Sequence, residues 1–198
     1  MNPRLTLSAS CAIFCLAFLP GARAQKANPA NAAATARMEE KLQHIKENGR
    51  LAAPDETPTE CSQEEVNSYL ASGQVRLPQG VESLVLEGQP GMIVATAQVD
   101  FDELKSNRSS VNPLLSVFSG AHSVVVVARA RAAGGEGLVE IDSVSLDAAD
   151  IPRFVLQMFV EKFLKPKYPN IGLDSRFRLP ARVDTATVGR RTLTITQK

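Results

Sequence analysis

Apolar and polar positions follow two different periods along the chain, and the change of period divides it. "VESLVLEG" and "GMIVATAQVDF" alternate strictly enough to predict two strands joined around "EGQPG", with Ile93, Ala95, Ala97, Val99 and Phe101 on one side of the second. "AHSVVVVARARAA" and "GLVEIDSVSLDA" predict two longer strands around Gly134 and Gly135, because paired glycines suit a tight hairpin loop. In the second of these, Val139 and Ile141 point one way while Val144 and Leu146 fall in the opposite phase. A bulge near Asp142 or Ser143 is expected to bring all four to one face and to bend the sheet. "LDSRFRLP", "RVDTATVG" and "RTLTITQK" add short alternating segments near the C-terminus.

A helical period governs the rest. "ATARMEEKLQHIKENG" predicts a helix from Thr35 to Asn48 with a narrow stripe of Met38, Leu42 and Ile45, stopped at Gly49. Ser62 and Glu65 have capping-box spacing, Cys61 and Val66 occupy the staple positions, and Gly73 ends the helix they begin. Pro113 to Phe118 predicts a short helix opened by proline. In "DIPRFVLQMFVEKFLKPKYP", the apolar residues of a helix from Ile151 to Lys165 sweep about 240° of the wheel, against roughly 100° for an ordinary surface helix. Arg153, Gln157, Glu161 and Lys165 form its one polar seam.

Helices separated by hairpins indicate an α+β fold. The expectation is a curved antiparallel sheet of about six strands with helices packed on its concave face. The order also suggests a duplicated helix-hairpin unit, with "NPLLSVFSG" and "IPRFVLQMF" as corresponding helices. Two pictures suit the Ile151 helix better than a third, a helix lying in a membrane interface, for which its apolar arc is too wide and its basic face thin. It is sunk into the core, or part of its arc lines an apolar groove through Val155, Met158, Phe159 and Phe163, with Lys162, Lys165 and Lys167 near the mouth as headgroup contacts.

The N-terminus adds a compartment. Arg4, an apolar run of about a dozen residues and "ARA" before Gln25 have the order of a secretory signal, so residues 1–24 are expected to be removed. Residues 25–57 read as a flexible linker holding one helix at about 35–48, and 58–198 as a single α+β domain. The expected location is secreted, in the periplasm, with no transmembrane segment in the mature chain. Cleavage takes two arginines and no acid from 22 basic and 21 acidic residues, leaving a net charge of −1. The imbalance is local: residues 120–198 carry 12 basic against 8 acidic side chains. Of three cysteines only Cys61 remains, so a packed core rather than a disulfide has to hold the domain.

The chemistry-bearing patterns in the chain are incomplete. His44 and His122 have no second ligand at metal spacing, and Asp100 with Asp102 lacks the remaining oxygens of a calcium loop. "AAGGEG" leads into a strand rather than a helix, so its glycines make a turn and not a phosphate cradle. Five arginines between 176 and 191 have only Phe177 among them, which argues against a stacking surface for nucleic acid. No metal, no cofactor and no enzymatic activity are expected.

"SQEEVNSYLAS", "LPQGVESLVLEGQPGMIVATAQVDF", "VEIDSVSLDAADIPRFVLQMFVEKF" and "LDSRFRLPARVDTATVGRRTLTI" together resemble the LmeA-like phospholipid-binding proteins of bacterial envelopes, relatives of the tubular lipid-binding domains. The resemblance spans residues 60–198 and implies a long curved sheet wrapped on a helix, an apolar groove for lipid, and no catalysis. The expected function is therefore binding of a lipid or other apolar ligand between the 151–165 helix and the sheet. The alternative is an envelope protein-protein interaction module without a cavity.

Overall fold

The computed structural model describes residues 29–106, 119–166 and 172–198. In chain order the elements are α1 (Pro29–Asn48), β1 (Thr59–Ser62), α2 (Gln63–Ala71), β2 (Val81–Gln89), β3 (Met92–Asp100) and α3 (Phe101–Ser106). There follow β4 (Ala121–Ala133), β5 (Glu136–Leu146), β6 (Ala149–Asp150), α4 (Arg153–Phe159), a π-helical turn Val160–Leu164, β7 (Asp174–Arg178), β8 (Val183–Val188) and β9 (Thr192–Gln197). The signal-like segment and the helix expected at Pro113–Phe118, one half of the suggested duplication, lie outside the described residues.

All strand pairs are antiparallel and form one open sheet around β4. One edge of β4 pairs with β3, which pairs with β2; the other pairs with β5, which carries β6 and β7. Beyond Arg129, where the pairing with β3 stops, Ala132 meets Ala186 and the sheet continues through β8, β9 and β1. Nine strands are thus described where about six were expected. β1 is four residues without alternation and exists by pairing with β9, while β6 is a two-residue bridge closed by its own turn.

Local chemistry explains the turns. Gly134 and Gly135 both have positive φ, the conformation a two-residue hairpin loop needs. Asp147 and Ala148 adopt positive φ without being glycine, and the Asp147 carboxylate accepts hydrogen bonds from the Ser123 N–H and the His122 ring. The expected bulge is present: Val127 faces Ser143 and Ala128 faces Ile141, leaving Asp142 as the extra residue. Arg129 grips Asp142 through both carboxylate oxygens at 2.7–3.1 Å, which fixes the kink. Val139, Ile141, Val144 and Leu146 consequently share one face.

The tightest part of the core sits at β8 and β9 under α1. Ile45 packs with Val183 and Ile195, ringed by Leu179, Ala181, Ala186 and Leu193. Cys61 is fully buried beside them in register with Leu193, and burial pushes its thiol pKa up, so it behaves as a small apolar residue. α1 starts six residues earlier than the expected Thr35, and Ala34, Met38 and Ile45 are all buried. Its C-terminus is clamped as well. Gln197 donates to Ile45 O at 2.7 Å and to Ala181 O at 2.6 Å, and accepts from Asn48, which in turn binds both backbone groups of Asp55. Both amides are buried and their partners are in place, which buried polar groups require.

α2 closes a sheet edge. The capping box at Ser62 and Glu65 forms, and α2 lies along β2, where Asn67 bonds both the N–H and the C=O of Leu86 and Gln63 accepts from Gly88. Side-chain amides here stand in for a neighbouring strand, one way of blunting an open edge.

Candidate functional site

Register sorts the β2–β5 part of the sheet into two chemically different faces, since paired residues of antiparallel strands point the same way. One face carries three apolar cross-strand rows: Leu86–Ala95–Val126–Val144, Leu84–Ala97–Val124–Leu146, and Ile93–Ala128–Ile141. The bulge at Asp142 is what lets the third row stay in phase with the other two. The opposite face mixes valines with Glu87, Thr96, Ser143 and Ser145, and ends in the Arg129–Asp142 and Arg131–Glu140 ion pairs.

Coverage of the apolar face is uneven. Under α1, Val183 and Ile195 are buried, yet in the three rows only Ala128 and Leu146 are buried and the other nine residues retain partial exposure. Four strands at about 4.8 Å spacing make this surface roughly 14 Å wide.

α4 stands at the edge of the same surface. The Ile151 N–H donates to Val144 O, and the Ile141 N–H donates to Leu173 O, so the chain leaves and rejoins the β5 edge on either side of the bulge. Arg153 reinforces the departure by donating to Ile141 O at 3.2 Å and approaching Asp174 at 3.6 Å. The expectation of a sunken inner helix is only partly met. None of the described residues of α4 is buried, Val160 in the π turn is, and Phe154 is 68% and Met158 39% exposed.

The expected site residues therefore divide. Val155 and Phe159 are half-buried, Met158 is exposed, and the Phe163 side chain lies outside the described residues. Among the lysines, Lys162 is exposed, Lys165 is half-buried and ion-paired with Glu161, and Lys167 lies outside the described residues. The strand residues of the three rows complete the surface, and their alternation was the signal that could have placed them at the site. Phe154 was not singled out because it sits beside the polar seam; with Met158 one turn on, it forms an exposed row on α4 separate from Val155 and Phe159.

Ionisable groups elsewhere serve the framework. Glu65 is 4% exposed. Burial opposes its ionisation, but hydrogen bonds from Lys41, the Ser62 N–H and Arg37 outweigh it and lower its pKa to about 2. The His122 pKa is raised, first by its hydrogen bond to Asp147, and its other ring nitrogen meets Ser119 O at 3.1 Å. Those contacts suit an imidazolium that pins a turn. A shallow depression of about 330 Å³ toward the β2–β3 turn is lined by Pro90, Gly91, Met92, Arg129 and Arg131, and both arginines are engaged by acids. Among the described residues, no three His, Cys, Asp or Glu side chains converge as metal ligands would, and no helix is long and apolar enough to cross a membrane. No protein-family model, no curated protein and no solved structure matches the chain.

Proposed function

We propose that this chain is a secreted, periplasmic, non-enzymatic carrier domain that holds a lipid or other apolar ligand against the three apolar rows of β2–β5, beside α4. The observation that carries the reading is the partial exposure of those rows. A contiguous apolar surface left open to water is unfavourable by about 25 cal/mol per Å² and is uncommon unless something occupies it. Val155 and Phe159 on α4 and Val144 and Leu146 on β5 would flank the ligand, while Lys162 and Lys165, in the turn that follows Phe159, would meet a headgroup. This is the activity that the resemblance to LmeA-like proteins implies.

Binding of a fluorescent fatty acid to the purified protein tests the reading. Saturable binding is expected, and Ala97→Phe, which fills the Leu84–Ala97–Val124–Leu146 row without adding charge, should weaken it at least tenfold. Val85→Asp, on the opposite and already exposed face, should leave it unchanged. Absence of saturable binding to the unaltered protein, or equal loss in both variants, would overturn it.

A further inference from the structure

We infer that α4 docks this protein on an anionic bilayer surface, with Phe154 and Met158 entering the interface and Lys162 meeting lipid phosphates. The inference rests on the carrier reading for its purpose, because it names where the ligand is collected or released.

Four large apolar side chains are conspicuously exposed among the described residues: Leu51, Val85, Phe154 and Met158. Only the last two lie one helical turn apart, and Lys162 continues the same row one turn later, itself exposed. The row therefore reads apolar, apolar, cationic along one side of a segment that projects from the β5 edge. Charge along the described segment favours an anion. Arg153, Lys162 and Lys165 stand against Glu161, which Lys165 already neutralises. Asp150 and Asp174 lie at the base, where Arg153 faces Asp174, so the excess positive charge is at the far end of the helix.

Size selects the occupant. A stable protein interface, including one with a second copy of this chain, buries roughly 800 Å² on each partner. A single row of two apolar side chains on a short helix offers far less. A bilayer needs no such area, since a narrow apolar ridge can enter the headgroup boundary while flanking lysines reach the phosphates. The placement also fits transfer: the helix leaves the sheet at Val144, which ends one of the apolar rows, so a lipid drawn past α4 would meet that row next.

Vesicle flotation with the intact mature protein tests the docking. Phosphatidylcholine vesicles containing phosphatidylglycerol should carry the protein, and vesicles of phosphatidylcholine alone should carry it poorly. Lys162→Gln should reduce association with the anionic vesicles about fivefold, as loss of one interfacial cation does, and high salt should reduce it further. Phe154→Ser, at a site already open to water, should reduce it about tenfold while circular dichroism and fatty-acid binding stay as in the parent. The docking proposal is overturned if the parent fails to float with anionic vesicles, if Phe154→Ser floats equally well, or if light scattering shows a dimer that Phe154→Ser dissociates. Fatty-acid binding read on the same samples keeps that failure distinct from failure of the carrier reading.

Discussion

Glu65 joins α1 to the start of α2: it closes the capping box of α2 and accepts from Arg37 and Lys41 of α1. Its folded pKa of about 2 lies below the unfolded value, so its contribution is complete above the unfolded pKa and disappears as pH falls through the folded one. At about 1.4 kcal/mol per unit this is on the order of 3 kcal/mol at neutral pH. Glu65→Gln should lower stability by roughly 2–3 kcal/mol at pH 7, less than the whole because Arg37 and Lys41 can return to water. Urea melts of parent and variant should converge as pH is lowered from about 5 toward 2. Gly49 answers to shape instead of charge. A Cβ there would stand 2.2 Å from the carbonyl oxygen of Ala181, backbone that Gln197 holds in place. Gly49→Ala should lower stability by about 1–3 kcal/mol, readable as a fall in thermal midpoint, because the end of α1 must back away from the β7–β8 turn.

Among the elements, α1 and α4 exchange the roles that their sequences suggest. α1 shows only a narrow apolar stripe, yet it covers the tightest cluster; α4 is apolar around most of its wheel, yet stands partly in solvent. A stripe reports how much of a helix is apolar but not what waits for it, and the partners of Ile45 are Val183 and Ile195, far along the chain. Signals confined to a few residues were legible: the phase slip that required a bulge, the Ser62 and Glu65 spacing, the paired glycines. β1 and β6 were not, because they exist through pairing rather than through any pattern of their own. The site followed the same division, since the alternation of β2–β5 was visible while the partial exposure of its apolar face depends on coverage by distant segments. Ile45→Ala should cost about 2–4 kcal/mol in a chemical melt, as for other large-to-small changes in a well-packed cluster. Removing α1 entirely should expose Val183 and Ile195 and abolish cooperative unfolding.

Taken whole, the molecule is one sheet whose apolar face is treated in two ways. Under α1 that face is closed by side chains, with Gln197 and Asn48 clamping the end of the helix; across β2–β5 it is bordered by α2 at one edge and by α4 at the other, and the apolar residues of α4 stay half-buried or exposed. The first arrangement supplies a rigid frame, and in the proposed reading the second is where the ligand lies. Ligand binding should therefore stabilise the protein in proportion to free ligand concentration, by mass action, without help from the α1 end. The most direct test is native mass spectrometry of the protein purified from an envelope fraction without detergent exchange. The expected result is an added mass that is released by organic solvent, identified as a lipid, and reduced in Ala97→Phe. A bare polypeptide mass, with no uptake when the protein is incubated with phospholipid vesicles, would contradict it.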